Sequence, residues 1–271
     1  MDNRTQVVTY KAGTNKLNIV NSHLGAAYNT QFINEFNLAF PGVEHLTLAS
    51  YHFNVVNYNS RLFEQFNINF PGAIKSSVLK RQAEYLAGRY AARCALHNLG
   101  LEVKDISTGK HRSPVWPEGI SASITHTNSI AICAASYKYD YEYVGIDLEK
   151  KLNSECVAEI KSSIINLQEE KFLLTSELSF EDAFTLTFSA KESLFKALYP
   201  VVGEYFDFSA TQIIDICCNT NKFTMILLED LTGEIIAGMT FTGYFSFDKT
   251  YVFSIIAQKK FSYSDTKMVN K

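Results

Sequence analysis

The segment at residues 181–200 constrains the fold most, because its pattern predicts one long helix that combines an apolar stripe with ionisable groups. The apolar stripe is formed by three leucines, Leu186, Leu194 and Leu198. Pro200 is expected to end this helix, because proline has no backbone N–H for the helical ladder. Glu192 and Lys196 are four residues apart and therefore share one face. Taken alone, such a pair is more typical of a surface salt bridge than of a functional site.

A second acidic element lies upstream, in a strand predicted at residues 145–149. The two-residue period of a strand sends Asp147 and Glu149 to the same face, about 7 Å apart along the backbone. Flexible carboxylates at this separation can reach one cation. An exposed acidic edge is the alternative, since burying both charges without a partner would be costly. Together with the acid–base helix, the pattern favours a Mg²⁺ site.

Length, charge and cysteine content restrict the class of protein. The 271 residues are enough for one large domain or two small ones with a real core. A net charge of −3 supplies no general basic field for nucleic acid or membrane, so any anion site must be local. Five cysteines without a CxxC pair indicate reduced thiols. With no apolar leader after Met1 and no run of membrane-spanning length, we predict a cytoplasmic protein.

Basic side chains recur on a helix predicted at residues 74–99, which Gly100 is expected to close. Arg81 and Arg89 are eight residues apart, a little over two turns, and are therefore nearly aligned. A solvated basic face is the ordinary interpretation of such a pattern. Two aligned guanidinium groups also match the oxygens of a phosphate, so a phosphate site stays open.

A basic loop at residues 109–117 contains His111, Arg112 and the only tryptophan, and two prolines restrict its backbone. A hairpin is predicted next over residues 121–136, and its first strand ends at His126. A single histidine is more often structural than functional. His126 gains weight because side chains at strand ends project into the loops that form sites.

The rest of the chain indicates how the domain is organised. A tyrosine-rich link at residues 137–143 suggests a boundary between an N-terminal half, 1–140, and a C-terminal half, 141–271. The remaining predicted elements are a strand at 46–56, a helix at 154–174 with Glu169 as a surface charge near its end, and strands at 212–218, 223–228, 235–247 and 251–258.

Several of these segments, in this order, resemble the signature segments of 4′-phosphopantetheinyl transferases. They are Ser-Ile-Thr-His at 123–126, Gly-Ile-Asp-Leu-Glu at 145–149, and Phe-Ser-Ala-Lys-Glu-Ser with a following lysine at 188–196. The helix at 80–89 and the Pro-Val-Trp-Pro loop at 114–117 resemble the branch typified by enterobactin synthase component D. Thr125 stands where many relatives carry serine, and its hydroxyl is retained.

The resemblance implies an α+β fold of two similar α/β halves related by a pseudo-twofold, a monomer with coenzyme A in the cleft between the halves. It implies Mg²⁺-dependent transfer of the 4′-phosphopantetheine arm of coenzyme A to a serine of an apo carrier protein, with release of adenosine 3′,5′-bisphosphate. The metal ligands it implies are Asp147, Glu149 and Glu192. The residues it implies for coenzyme A are Arg81, Arg89, His111, Arg112, Thr125, His126, Lys191 and Lys196. Glu192 and Lys196 are the implied catalytic residues.

Two other functions stay open at this point. A Mg²⁺-dependent nuclease also uses Asp, Glu and Lys clusters, but Lys150 follows Glu149 directly and points to the opposite face. A non-catalytic module for coenzyme A or a nucleotide would need the arginines without Glu192 and Lys196. We expect acyl or peptidyl carrier proteins as partners, with siderophore peptide synthesis as the usual pathway of the branch, and no nucleic acid.

Overall fold

The computed structural model describes residues 31–40 and 42–261. The expectation about the start of the chain lies outside these residues. Within the described ranges, none of the helices has the length and apolar character that crossing a membrane requires.

The first half is an antiparallel sheet in the order β1-β2-β4-β3, covered by one long helix. Its elements are β1 (Ile33–Glu35), β2 (Thr47–Phe53), α1 (Leu62–Gln65), α2 (Gly72–Lys75), α3 (Leu79–Asn98), β3 (Ile120–His126) and β4 (Ile130–Tyr137). The hairpin predicted at 121–136 is confirmed. The strand predicted at 46–56 is present but ends at Phe53, because residues 55–57 form a short 3₁₀ helix. An alanine stripe that is fully buried, Ala83, Ala87, Ala91 and Ala95, lets α3 lie close to the sheet.

The helix predicted from residue 74 begins only at Leu79. The short helix α2 ends before Ser76, and Val78 has an extended backbone, so the helical ladder is interrupted. The predicted end is confirmed, since Gly100 has φ of +84°, a left-handed conformation that glycine adopts without strain.

The second half is an antiparallel sheet in the order β5-β9-β8-β7-β6 with α6 packed on it. Its elements are β5 (Tyr143–Lys150), α4 (Ser154–Ile164), α5 (Leu167–Leu173), α6 (Phe180–Val202), β6 (Thr211–Cys217), β7 (Lys222–Leu227), β8 (Thr240–Phe247) and β9 (Tyr251–Gln258). The strand predicted from residue 235 begins only at Thr240, because the preceding residues form a turn in which Leu231 N–H donates to the Ile235 carbonyl.

Two helix predictions in this half are wrong in detail. The helix predicted at 154–174 is two helices, because Asn166 adopts an extended backbone and caps α5 through a capping box with Glu169. The long helix α6 runs through Pro200 to Val202 and ends at Gly203, whose φ is +76°. Pro200 lies in the last turn, so the helix continues for only two residues beyond it.

The two halves meet along β3 and β5. Ser123 Oγ accepts a hydrogen bond of 3.2 Å from Ile146 N–H, and Ser121 Oγ donates one of 2.7 Å to the Glu142 carbonyl. A shared apolar cluster, which includes Ile132 of β4 and Ile255 of β9, fills the space behind these strands. The α+β class is confirmed, and the plan of one long helix on one antiparallel sheet occurs twice. The monomeric state and the division at residue 140 stay predictions.

Candidate active site

Strand β5 lies directly against the backbone of α6, and Gly145 makes this approach feasible. A Cβ atom at Gly145 would lie 1.9 Å from the Ser193 carbonyl oxygen and 2.7 Å from the Ala197 nitrogen. Any side chain would therefore separate the strand from the helix. The close approach sets Asp147, two residues along the strand, beside the polar face of α6.

Asp147 is the point at which β3, β5 and α6 converge. Its Oδ1 accepts hydrogen bonds from Lys196 Nζ at 2.5 Å and from Thr125 Oγ1 at 3.2 Å. Its Oδ2 accepts one from Ser189 Oγ at 2.9 Å. The residue is only 3% exposed, so these donors compensate a carboxylate that has left water. The structure thus brings together three residues predicted separately from the two halves: Thr125, Asp147 and Lys196.

A serine network behind Asp147 was missed by the sequence reasoning. Ser254 Oγ of β9 lies 2.7 Å from both Ser189 Oγ and Ser193 Oγ of α6. A signal for Ser189 did exist, because it is seven residues before Lys196 and two helical turns bring both side chains to one face. Ser254 had no such signal, since it comes from a distant strand.

The three predicted metal ligands share an excess of negative charge. The pKa of Glu149 is raised to about 8, by burial first and then by Asp147 and Glu192, against the opposing effect of Lys196. Burial and Asp147 also raise the pKa of Glu192. Burial alone would lower the pKa of Lys196, but Asp147, Glu192 and Glu149 outweigh it and the pKa is raised. One ammonium therefore faces three carboxylates.

This donor set fits a hard divalent cation in its chemistry. All three groups offer carboxylate oxygens, and their mutual repulsion is what a bound cation would relieve. Among the described residues, however, no three acidic, histidine or cysteine side chains are already arranged for a metal ion. Lys196 Nζ is instead the cation nearest to Asp147.

Basic groups lie on the N-terminal side of this cluster. Arg81 Nη1 lies 3.1 Å from His126 Nε2. Because a guanidinium only donates, the histidine nitrogen is the acceptor and the ring is neutral. Burial, followed by Arg81 and Lys196, lowers the pKa of His126 to about 4. Two predicted phosphate-binding residues are thus in contact.

Arg89 is buried without an acidic partner. It is 7% exposed, its Nη2 donates to Thr108 Oγ1 at 3.1 Å, and its guanidinium lies 4.9 Å from the Tyr85 ring centre. Its Nε has no hydrogen-bond partner, and no carboxylate lies within ion-pair distance of it in the described chain. A buried cation left in this state is destabilising unless an anion joins it.

The basic loop reaches across to α6. His111 and Arg112 both have positive φ values, 54° and 65°, which non-glycine residues adopt only with strain. Lys110 Nζ lies 2.6 Å from Glu204 Oε1, and the His111 ring packs edge-on against Tyr205 at 4.9 Å. A cleft of about 190 Å³ opens beneath the loop; residues on its walls include His111, Arg112, Trp116, Ile124, Lys196 and Tyr205.

The assignment of Lys191 to cofactor binding is contradicted by the structure. Its side chain is 1% exposed, and Nζ binds the Glu169 carboxylate at 3.0 Å and the carbonyls of Phe208 and Thr211 at 2.9 Å. Five residues turn a helix by about 140°, so Lys191 and Lys196 point to different sides of α6. Glu169, predicted as a surface charge, is buried with it. This pair joins α5, α6 and β6 in the core.

Two family models match the chain. The 4′-phosphopantetheinyl transferase N-terminal domain matches residues 71–136, and the 4′-phosphopantetheinyl transferase superfamily matches residues 143–242. The first match contains the basic groups from Arg81 to His126, and the second contains the carboxylates and α6.

Individual relatives are similar over parts of the chain. Enterobactin synthase component D of Salmonella typhi is 41% identical over 46% of this chain and 51% of its own length. The 4′-phosphopantetheinyl transferase Svp of Streptomyces mobaraensis is 30% identical over 63% of this chain and 68% of its own. The chain thus spans about half the length of the first of these relatives. A solved holo-[acyl-carrier-protein] synthase of Thermotoga maritima is 21% identical over 43% of this chain and 63% of its own, with a TM-score of 0.33, too low to bear on the fold.

Proposed function

Because the chain belongs to the 4′-phosphopantetheinyl transferase superfamily, we propose that it transfers the 4′-phosphopantetheine arm of coenzyme A to a serine of an apo carrier protein. The serine oxygen forms a bond to the phosphorus that carries pantetheine. The bond between that phosphorus and the bridging anhydride oxygen breaks, and adenosine 3′,5′-bisphosphate leaves with the bridging oxygen and the electron pair. The relatives named enterobactin synthase component D favour siderophore or nonribosomal peptide synthesis as the setting, and we propose a cytoplasmic location.

The observation that carries the proposal is the position of Lys196. Its ammonium binds Asp147 in the acidic cluster, and its side chain also lines the cleft between the halves. A cation in this place can neutralise charge on the departing phosphate, which is the main demand of phosphoryl-type transfer. Its raised pKa keeps it charged at neutral pH, so it can also donate a hydrogen bond or a proton to the leaving oxygen.

The arginines serve the nucleotide end of the substrate. Arg89 has no acidic partner among residues 31–40 and 42–261, and a phosphate would supply a counter-charge to its buried guanidinium. Arg81, in contact with His126, lies on the same helix eight residues before Arg89, about 12 Å away along its axis. Arg112 and His111 border the cleft from the loop. Binding by several fixed donors positions the reacting diphosphate.

Mg²⁺ is the proposed metal, and Asp147, Glu149 and Glu192 would hold it. When bound, it would neutralise charge on the diphosphate oxygens. Glu192 has a second proposed role as the base that accepts the serine proton, directly or through water.

The two alternatives are less well supported. A nuclease would need an extended basic surface, whereas the net charge is −3 and Lys150, which directly follows Glu149, alternates to the opposite face of β5. A binding module without catalysis would leave unexplained the pairing of Lys196 with Asp147 at 2.5 Å beside two further carboxylates.

Mass spectrometry of the host's apo carrier proteins, mixed with this protein, coenzyme A and Mg²⁺, tests the proposal. We expect one carrier serine to gain the mass of a phosphopantetheine group, and chelation of the metal to stop the gain. Lys151→Met provides a control, since Lys151 forms an ion pair of 3.3 Å with Asp182 outside the cleft and should retain activity. Absence of the adduct on every carrier of the host would refute the proposal.

A further inference from the structure

Glu84 is a carboxylate enclosed by basic side chains. It lies in the second turn of α3 and is 8% exposed. Its Oε2 is 3.7 Å from Arg81 Nη1 and 4.0 Å from His126 Nδ1, and its Oε1 is 3.8 Å from Lys80 Nζ. The distances to Lys80 and Arg81 are ion-pair distances, and all three, including that to the neutral His126 ring, are longer than a direct hydrogen bond. A buried acid thus lies within the basic group proposed to bind phosphate.

The sign of this charge is unexpected for an anion site. A carboxylate repels a bound phosphate, so charge alone would favour its absence. The position of Glu84 suggests a role that compensates for this repulsion. The Arg81 guanidinium donates to His126 Nε2, so the ring proton is on Nδ1, the nitrogen that faces Glu84. Without Glu84, the adjacent cations Lys80 and Arg81 would repel each other, and the Arg81 guanidinium that holds the His126 ring would lose its acidic neighbour.

We propose that Glu84 is a positioning residue that holds Arg81 and His126 in the arrangement that binds a phosphate of the substrate. The inference rests on the proposed function for the identity of the anion. It does not require transfer to occur, because the arrangement concerns binding alone. Glu84 touches neither the acidic cluster nor Lys196 within ion-pair distance.

Binding of adenosine 3′,5′-bisphosphate, measured by calorimetry, tests the inference separately from transfer. We expect Glu84→Gln to raise Kd about tenfold, a change of about 1.4 kcal/mol. Glu84→Asp, which keeps the charge, should recover part of the affinity. Glu102→Gln is the matched control, because Glu102 pairs with His97 at 2.9 Å at the other end of α3 and should leave Kd unchanged.

A double-mutant cycle separates positioning from general destabilisation. In the Arg81→Ala background, Glu84→Gln should lose most of its effect on Kd, whereas a merely structural contribution would be additive. In the transfer assay, Glu84→Gln should raise KM for coenzyme A more than it lowers kcat.

The outcomes distinguish this inference from the function. If Glu84→Gln binds the bisphosphate as tightly as the unmodified chain, or more tightly, the repulsion of phosphate by Glu84 is at least as large as any gain from positioning. The inference is then refuted. If the unmodified chain binds no bisphosphate, the inference is also refuted. If binding behaves as expected while no carrier is modified, the proposed transfer fails and the role of Glu84 stands.

Discussion

Lys196→Met is the substitution that separates a catalytic cation from an ordinary salt bridge. Methionine keeps the length of the side chain and removes the ammonium that binds Asp147 at 2.5 Å. Exposed pairs contribute at most about 1 kcal/mol, and breaking a fully buried pair costs about 3–5 kcal/mol. The Lys196 side chain is 26% exposed and that of Asp147 is 4% exposed, so we expect an intermediate loss, about 2 kcal/mol, in the metal-free protein.

Mg²⁺ should reverse this loss of stability. With the ammonium gone, three carboxylates remain without a cation, and a metal ion at about 100 times its Kd would contribute about 2.7 kcal/mol. The free energy of unfolding, measured by denaturant titration with and without Mg²⁺, should therefore respond more to the metal in Lys196→Met than in the unmodified protein. Turnover should still fall by about 10²-fold, because the metal does not replace the cation at the leaving phosphate.

The matched control is Lys151→Met, whose ion pair with Asp182 has side chains 28% and 32% exposed. It should lose at most about 1 kcal/mol, with no added response to Mg²⁺. The reasoning is refuted if Lys196→Met keeps full activity, or if its stability and metal response match those of the control.

Three further results are expected. The pKa of Glu149 rises from an ordinary 4.5 to about 8, so the native state retains a proton that the unfolded chain has lost; this contribution to stability is complete below pH 4.5 and is lost as the pH rises through 8. Denaturation of the metal-free protein at pH 6 and pH 9 checks this, and Glu149→Gln should flatten the difference. Arg89→Ala should raise KM for coenzyme A more than it lowers kcat in the transfer assay; an unchanged KM would contradict its role. Gly145→Ala should abolish the soluble folded protein, because its Cβ would lie 1.9 Å from a helix carbonyl, whereas Gly233→Ala, with nothing within 4 Å, should fold normally; circular dichroism compares them.

The local sequence pattern was sufficient to predict the strands and the helix that carry the site. Alternation predicted the β3–β4 hairpin, and the Asp147–Glu149 spacing predicted carboxylates that influence each other, as the raised pKa of Glu149 indicates. The 3.6-residue period set Glu192 and Lys196 on one face of α6. The same period contained the evidence against Lys191, which lies about 140° from Lys196 around the helix.

Tertiary packing decided which of these faces meets which partner. Spacing along α6 shows that Lys191 and Lys196 diverge, but only the contact at Gly145 turns Lys196 toward β5 and leaves Lys191 to the buried Glu169. Ser254 joins the site from β9, more than 60 residues beyond Ser189. Chain periodicity determines directions around one element, whereas the meeting of β3, β5, β9 and α6 depends on long-range burial that no local pattern encodes.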